Sequence, residues 1–290
     1  MKDNIKDNMR IRKKIVDGIT VAILTVLALI FMTPIAVVVM NSFKNKQSLI
    51  RGRGKAFELL NKDSWYGFKN YIEGMETVKI MDAMKNSFII TVVSVVILIL
   101  LTSMTAWYIV RVKTKVTNAL YFLFVFSMVV PFQMVMYTMS NIATSLGLNS
   151  VTGIVVLYVG FGAGMCVFMF SGFIKAIPFD VEEAAMIDGC NPIQIFFRVV
   201  MPMLKPTMVT VAILETMWIW NDFLLPYLTL SSGEVETIPL AIQACQKSHG
   251  SIELGQLMAV LVIAIIPIVI FYLLCQKHII KGVAAGAVKG

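Results

Sequence analysis

Six apolar runs alternate with polar connections along the chain, at about 15–40, 86–110, 118–139, 151–174, 207–230 and 256–280. About 20 predominantly apolar residues suffice for one helical crossing of a bilayer. The pattern therefore predicts an all-α integral membrane protein with six transmembrane helices. Pro34 and Pro131 fall inside the first and third runs, and a helix in lipid tolerates proline where neighbours satisfy the freed carbonyl. The polar, basic segment 1–14 precedes a run too long for the roughly 7–15 apolar residues of a signal peptide, and no small-residue cleavage site is evident. Domain organisation thus reads as an amino-terminal segment, 1–14, followed by one transmembrane domain, 15–290.

The connection 41–85 is long and hydrophilic. It carries five basic residues from Lys44 to Lys55, followed by Trp65, Tyr66, Phe68 and Tyr71, which read as an interfacial aromatic belt or as ligand contacts. The turn 140–150 has no charge. In the fourth run Gly160 and Gly164 stand four apart, the spacing with which membrane helices pack closely.

One polar island, 178–206, separates the fourth and fifth runs. Asp180 is placed as an N-cap with Glu183 as its capping-box partner, and Gly189 permits the left-handed residue that ends a helix. Asn191-Pro192 restarts the chain with proline in a first turn. Ile193, Phe196, Phe197 and Val200 then recur at helical spacing until Pro202, where the pattern is expected to stop. The spacing predicts an amphipathic helix-turn-helix outside the lipid.

Composition agrees with a membrane protein and narrows the chemistry. Of the 290 residues, 58% are hydrophobic and 14% charged, with a mean hydropathy of +0.81, against about 25% charged in soluble domains. The net charge of +8 does not indicate nucleic acid, because the basic residues are not interleaved with stacking aromatics on a polar domain. More than half of the 25 Lys and Arg lie in segment 1–14, the 111–115 turn, the island and the tail 281–290, which places those segments and both termini in the cytoplasm. The nine basic residues of 41–85 run against that rule. Cys166, Cys190, Cys245 and Cys275 show no Cys-x-x-Cys spacing and read as small hydrophobes; with only two histidines, no metal site is expected. No Gly-x-x-x-x-Gly-Lys-Ser/Thr phosphate loop occurs, so the chain is not expected to hydrolyse ATP or to be an enzyme.

Within the fifth run Glu215 and Asp222 lie seven apart, on one helical face, near Trp218 and Asn221. Intramembrane acids are costly and usually face a cavity or partner. The set reads either as a hydroxyl-binding surface on a translocation path or as interfacial and partner contacts.

The island's residues resemble the loop that defines membrane subunits of binding-protein-dependent ABC importers: Glu183-Ala184-Ala185, Asp188, Gly189 and Pro202 stand at that family's spacing, with Val199, Met201 and Cys190 as small apolar departures. Asn70-Tyr71, Leu146-Gly147-Leu148, Trp220-Asn221-Asp222-Phe223 and the tail 281–290 extend the resemblance to the six-span permeases of sugar importers. It implies a type I ABC importer permease fold with a cytoplasmic coupling helix in the bacterial cell membrane. Glu183, Ala184, Ala185, Asp188, Gly189 and Pro202 would couple to a dimeric ABC ATPase, which would hold ATP and magnesium, while Gly286, Lys289 and Gly290 would contact that ATPase from the tail. A second permease, an extracytoplasmic binding protein and a sugar would be the other partners. An ion-coupled secondary transporter is the alternative, but no inverted repeat is visible and the island would have no role in it.

Overall fold

In the computed structural model the described residues are 2–50, 57–230, 235–247 and 254–287, and apart from one isolated bridge between Lys44 and Trp65 their regular structure is helical. The order is α1 Lys2–Asn41, α2 Lys46–Ile50, α3 Lys69–Thr77, α4 Ile80–Arg111, α5 Lys115–Val129, α6 Phe132–Ser145, α7 Val151–Ile174, α8 Asp180–Ile187 and α9 Pro192–Ile195. A π turn at Phe196–Val200, α10 Met201–Met203, α11 Lys205–Asn221, α12 Leu224–Thr229, α13 Ile238–Lys247 and α14 Leu254–Ala287 complete it. Four helices, within α1, α4, α7 and α14, are long and apolar enough to cross a membrane by themselves. Two bent pairs, α5 with α6 and Pro192–Met203 with α11, pass the same test together.

The chain falls into two units, 1–77 with 248–263, and 78–247 with 264–290. In the first, the end of α1 is fastened to the 41–85 connection. Asn70 Nδ2 donates to the carbonyls of Ser42 (2.8 Å) and Lys44 (2.9 Å), and Gln256 Nε2 donates to Glu73 Oε2 at 2.9 Å. Phe43 stacks on Trp65 with centroids 5.4 Å apart and also touches Phe68 and Tyr71, so these aromatics form one cluster rather than a spread belt. The apolar window of α1 has no residue buried within the chain.

The second unit has its core where α4 and α7 pack, with α5 and α11 against them. Leu98, Ala106, Tyr158, Val167, Phe170, Phe196 and Val211 are fully buried there. Two of these helices, α5 and α7, start where a side chain satisfies free amides. Thr114 and Thr117 exchange side-chain acceptors in a capping box at α5, and Ser150 Oγ accepts from the Gly153 N–H at 3.1 Å to open α7. α5 and α7 pack closely at Gly164, where a methyl group would lie 2.6 Å from the Phe124 carbonyl oxygen. Gly160, by contrast, has no atom within 4 Å of that position, so the four-residue spacing is not one seam. Gly162 of the same helix is also close-packed, against Leu98 and Glu215.

The third apolar run is not one straight span. Val130 is extended (φ −76°, ψ 114°), as a residue before proline tends to be, and α6 restarts after Pro131 at 106° to α5. The fifth run is also interrupted: α11 ends at Asn221, Asp222 is extended, and the short α12 follows.

In α13, outside the long apolar helices, Cys245 is 4% exposed. Burial, with the Glu236 carboxylate adding to it, pushes its thiol from 9.0 up to about 11. The unfolded thiol ionises first, so its contribution to stability is held below pH 9.0 and lost as pH rises toward about 11. A shift of two units means that maleimide labelling of Cys245 at pH 8 is expected to be about a hundredfold slower than that of an ordinary thiol, measured by peptide mass mapping.

Candidate functional site: the polar two-arm loop and its anchor

The island folds as the spacing implies in its turn and departs from it at both ends. Gly189 has φ +82° and ends α8 in a Schellman arrangement: its own N–H donates to the Met186 carbonyl and the Cys190 N–H to Ala185, both at 3.0 Å. Asn191 and Gln194 then form a reciprocal capping box, each side chain accepting the other's backbone N–H at 2.9 Å, with Pro192 in the first turn. At the start of α8, however, Asp180 is already helical and the N-cap is Phe179, which makes no side-chain cap. The expected Asp180–Glu183 box does not form.

Pro202 does not stop the second arm. The helix widens into a π turn over Phe196–Val200, in which the Met201 N–H reaches the Phe196 carbonyl, and continues through Pro202. Widening a turn is a common way to accommodate a residue that cannot donate. The break comes at Leu204, where α11 departs at 76° with Pro206 in its first turn.

The two arms have two faces. Inward, Glu182, Ala185, Ile195, Phe196 and Val200 are buried. Outward, Glu183, Ala184, Asp188 and Gly189 are exposed, together with Met186, Ile187 (81%), Ile193 (65%) and Phe197. All of the sequence-singled coupling positions on α8 except Ala185 therefore lie on the outer face.

The inward acid is Glu182, which the sequence pattern did not single out. Its carboxylate is shared by two residues one turn apart at the end of α4. Arg111 donates to Oε1 through Nη2 (2.7 Å) and Nε (2.9 Å), and Trp107 Nε1 donates to Oε2 at 2.9 Å. Arg111 Nη2 also donates to the Ile177 carbonyl at 3.0 Å, and its guanidinium lies over Phe179, 5.7 Å from the ring centroid. The Trp107 ring meets Phe196 of the second arm at 5.5 Å. The end of α4 thus touches both arms. No motif marks Arg111 or Trp107, and the only signal for Glu182 was its adjacency to Glu183.

The four residues of the fifth run are placed differently from one another. Glu215 is fully buried, accepts from Cys166 Sγ at 3.1 Å through Oε1, and its Oε2 has no partner among the described residues. Asp222 Oδ2 accepts from Tyr158 O–H and Oδ1 from the Leu224 N–H, both at 3.0 Å, so it joins α7 to the start of α12. Both acids point to α7, in register with an antiparallel pairing. Trp218 is 39% exposed and edge-on to Tyr158, and Asn221 is exposed, its amide bonded to the Met217 carbonyl. Gly286 falls within α14, whereas Lys289 and Gly290 lie outside the described residues. Among the described residues no three His, Cys, Asp or Glu side chains group as metal ligands.

An all-helical chain of long apolar helices that holds out a capped two-arm loop has the build of a membrane-spanning permease of the type I importer class. The chain belongs to the family described as binding-protein-dependent transport system inner membrane component, whose pattern matches residues 98–285. It is 37% identical, over 91% of this chain and 94% of the relative, to a probable starch degradation products transport system permease protein of Thermoanaerobacterium thermosulfurigenes. It is 32% identical to the multiple sugar-binding transport system permease protein of Streptococcus mutans, over 92% and 95% of the two chains. In fold it is similar to a chain of a bacterial ABC transporter involved in the import of the acidic polysaccharide alginate, with a TM-score of 0.71 over 91% of this chain and 96% of the other, at 20% identity.

Proposed function

We propose that this chain is one of two permease subunits that form the translocation path of an ATP-driven importer for an oligosaccharide or related sugar. The observation that carries this is the outer face of α8, α9 and the π turn, where Glu183, Ala184, Ile187, Ile193 and Phe197 are exposed on the two arms joined at Gly189. Solvent-facing apolar side chains rimmed by acids mark a protein interaction site. The partner is a dimeric ABC ATPase, which holds the ATP and magnesium and moves this loop as it closes. The relatives named for starch degradation products and for multiple sugars support a carbohydrate cargo. A second structural neighbour, an alginate ABC transporter in complex with an alginate pentasaccharide-bound periplasmic protein, supports delivery by an extracytoplasmic binding protein.

In this reading α5 with α6 is one span and α11 is the fifth, with Pro192–Met203 left outside the lipid as the loop's second arm, giving six crossings with both termini cytoplasmic and the tail, including Gly286, Lys289 and Gly290, directed to the ATPase. The unburied apolar surface of α1 is left for lipid and for the companion permease. Of the fifth-run residues, Trp218 and Asn221 are the ones open to a path, and Glu215 and Asp222 hold α11 against α7.

The test is co-purification with the cognate ATPase and companion permease. The wild-type chain is expected to retain the ATPase, and Glu183→Lys/Gly189→Pro to lose it while remaining in the membrane. Retention by the double variant, or no ATPase with the wild type, would sink the assignment. Energised vesicles of the intact complex should then accumulate labelled malto-oligosaccharide or a related sugar only with binding protein and internal ATP.

A further inference from the structure

We propose that Trp107 and Arg111, through buried Glu182, are the joint by which movement of α8 is carried into α4. This rests on the coupling role proposed above and deepens it: one acid of the Glu182-Glu183 pair meets the ATPase side, and the other transmits. Three features of the geometry support the division.

First, Glu182 cannot be a docking residue, because it is 0% exposed and both of its oxygens are occupied from α4. Second, the contact is directional. A guanidinium fork and an indole N–H fix the carboxylate in position and orientation, where a single ammonium would fix only distance. Third, the same two α4 residues hold three separate points along the entry to the island and the island itself: Arg111 binds the Ile177 carbonyl just before it, both bind Glu182 within α8, and Trp107 packs on Phe196 after the turn. A loop anchored only by its covalent ends could swing about Gly189 and about the bend at Leu204 without displacing a span. With α4 bound at three points, α8 cannot move without moving the end of a 32-residue helix that also packs along α7. Trp107 and Arg111 are positioning residues, acting on transport through α8.

The intact transporter, with its ATPase, companion permease and binding protein in vesicles, provides the test. Glu182→Gln keeps the shape and both acceptor positions' atoms in place but removes the charge and puts a donor against Arg111 or Trp107. Trp107→Phe keeps a ring against Phe196 and removes only the indole N–H. Both variants are expected to retain the ATPase, because neither alters the outer face. The ratio of hydrolysis stimulated by sugar-loaded binding protein to basal hydrolysis is expected to fall about fivefold or more in Glu182→Gln, and less in Trp107→Phe. Sugar transported per ATP should fall in parallel. A purely structural role would lower the yield of complex and leave that ratio per complex unchanged; this result, in either variant with ATPase bound, overturns the proposal. A wild-type complex without ATPase would instead overturn the coupling role itself, and the joint with it.

Discussion

Replacing Arg111 by alanine is expected to destabilise the folded subunit by about 3 kcal/mol, and removing Glu182 in the same chain is expected to recover part of that loss. The Glu182 side chain is 1% exposed and that of Arg111 17%. With the guanidinium gone, the carboxylate keeps only the Trp107 N–H at 2.9 Å and stays out of water. An orphaned buried charge costs more than the pair was worth, because desolvation is no longer opposed by attraction. The single variants should therefore sum to more than the double, the signature of two groups acting as one. Thermal unfolding of the purified subunit in detergent, for wild type, both single alanine variants and the double, measures the cycle. A double variant whose loss equals the sum of the singles would show that the pair is not coupled.

Gly164→Val is expected to lower stability by about 1–3 kcal/mol, while Gly160→Val, on the same helix one turn away, is expected to be close to neutral. At Gly164 a methyl would meet the Phe124 carbonyl oxygen at 2.6 Å and Met128 Cγ at 3.0 Å. The first is backbone and cannot rotate away, so α5 must move off α7. Membrane helices associate largely through close van der Waals contact, since lipid is as apolar as the helix faces. Separation of α5 from α7 forfeits that contact, whereas nothing lies within 4 Å of the same position at Gly160. The same unfolding measurement distinguishes the two, and equal losses would mean that the α5–α7 seam is not where α7 is most constrained.

These two cases show how unevenly the site was legible. The turn of the loop was readable because it is local: glycine's freedom at φ +82° and the Asn191–Gln194 cap act within a few residues. Asp180 failed as a cap because the chain enters α8 already helical at Phe179, whose ring lies under Arg111 of a distant helix. Pro202 failed as a stop because the helix could widen over Phe196–Val200, with Phe196 and Val200 held in the core. Pro131 was read as lying within a span; the extended Val130 before it instead allows a turn of 106°.

Hydropathy and spacing alone determined that the chain is helical and membrane-embedded, that its loop turns at Gly189, and which positions recur on one helical face. Those are consequences of transfer free energy and of backbone geometry, which are local along the chain. Only the tertiary structure decided which of two adjacent acids is buried, which of two glycines closes a seam, and that Glu215 and Asp222 turn to Cys166 and Tyr158 on α7. Helical periodicity assigns a residue to a face and not to a neighbour. Glu182 and Glu183 differ by about 100° around α8, and that rotation acquires meaning only once Trp107 and Arg111 stand on one side of it.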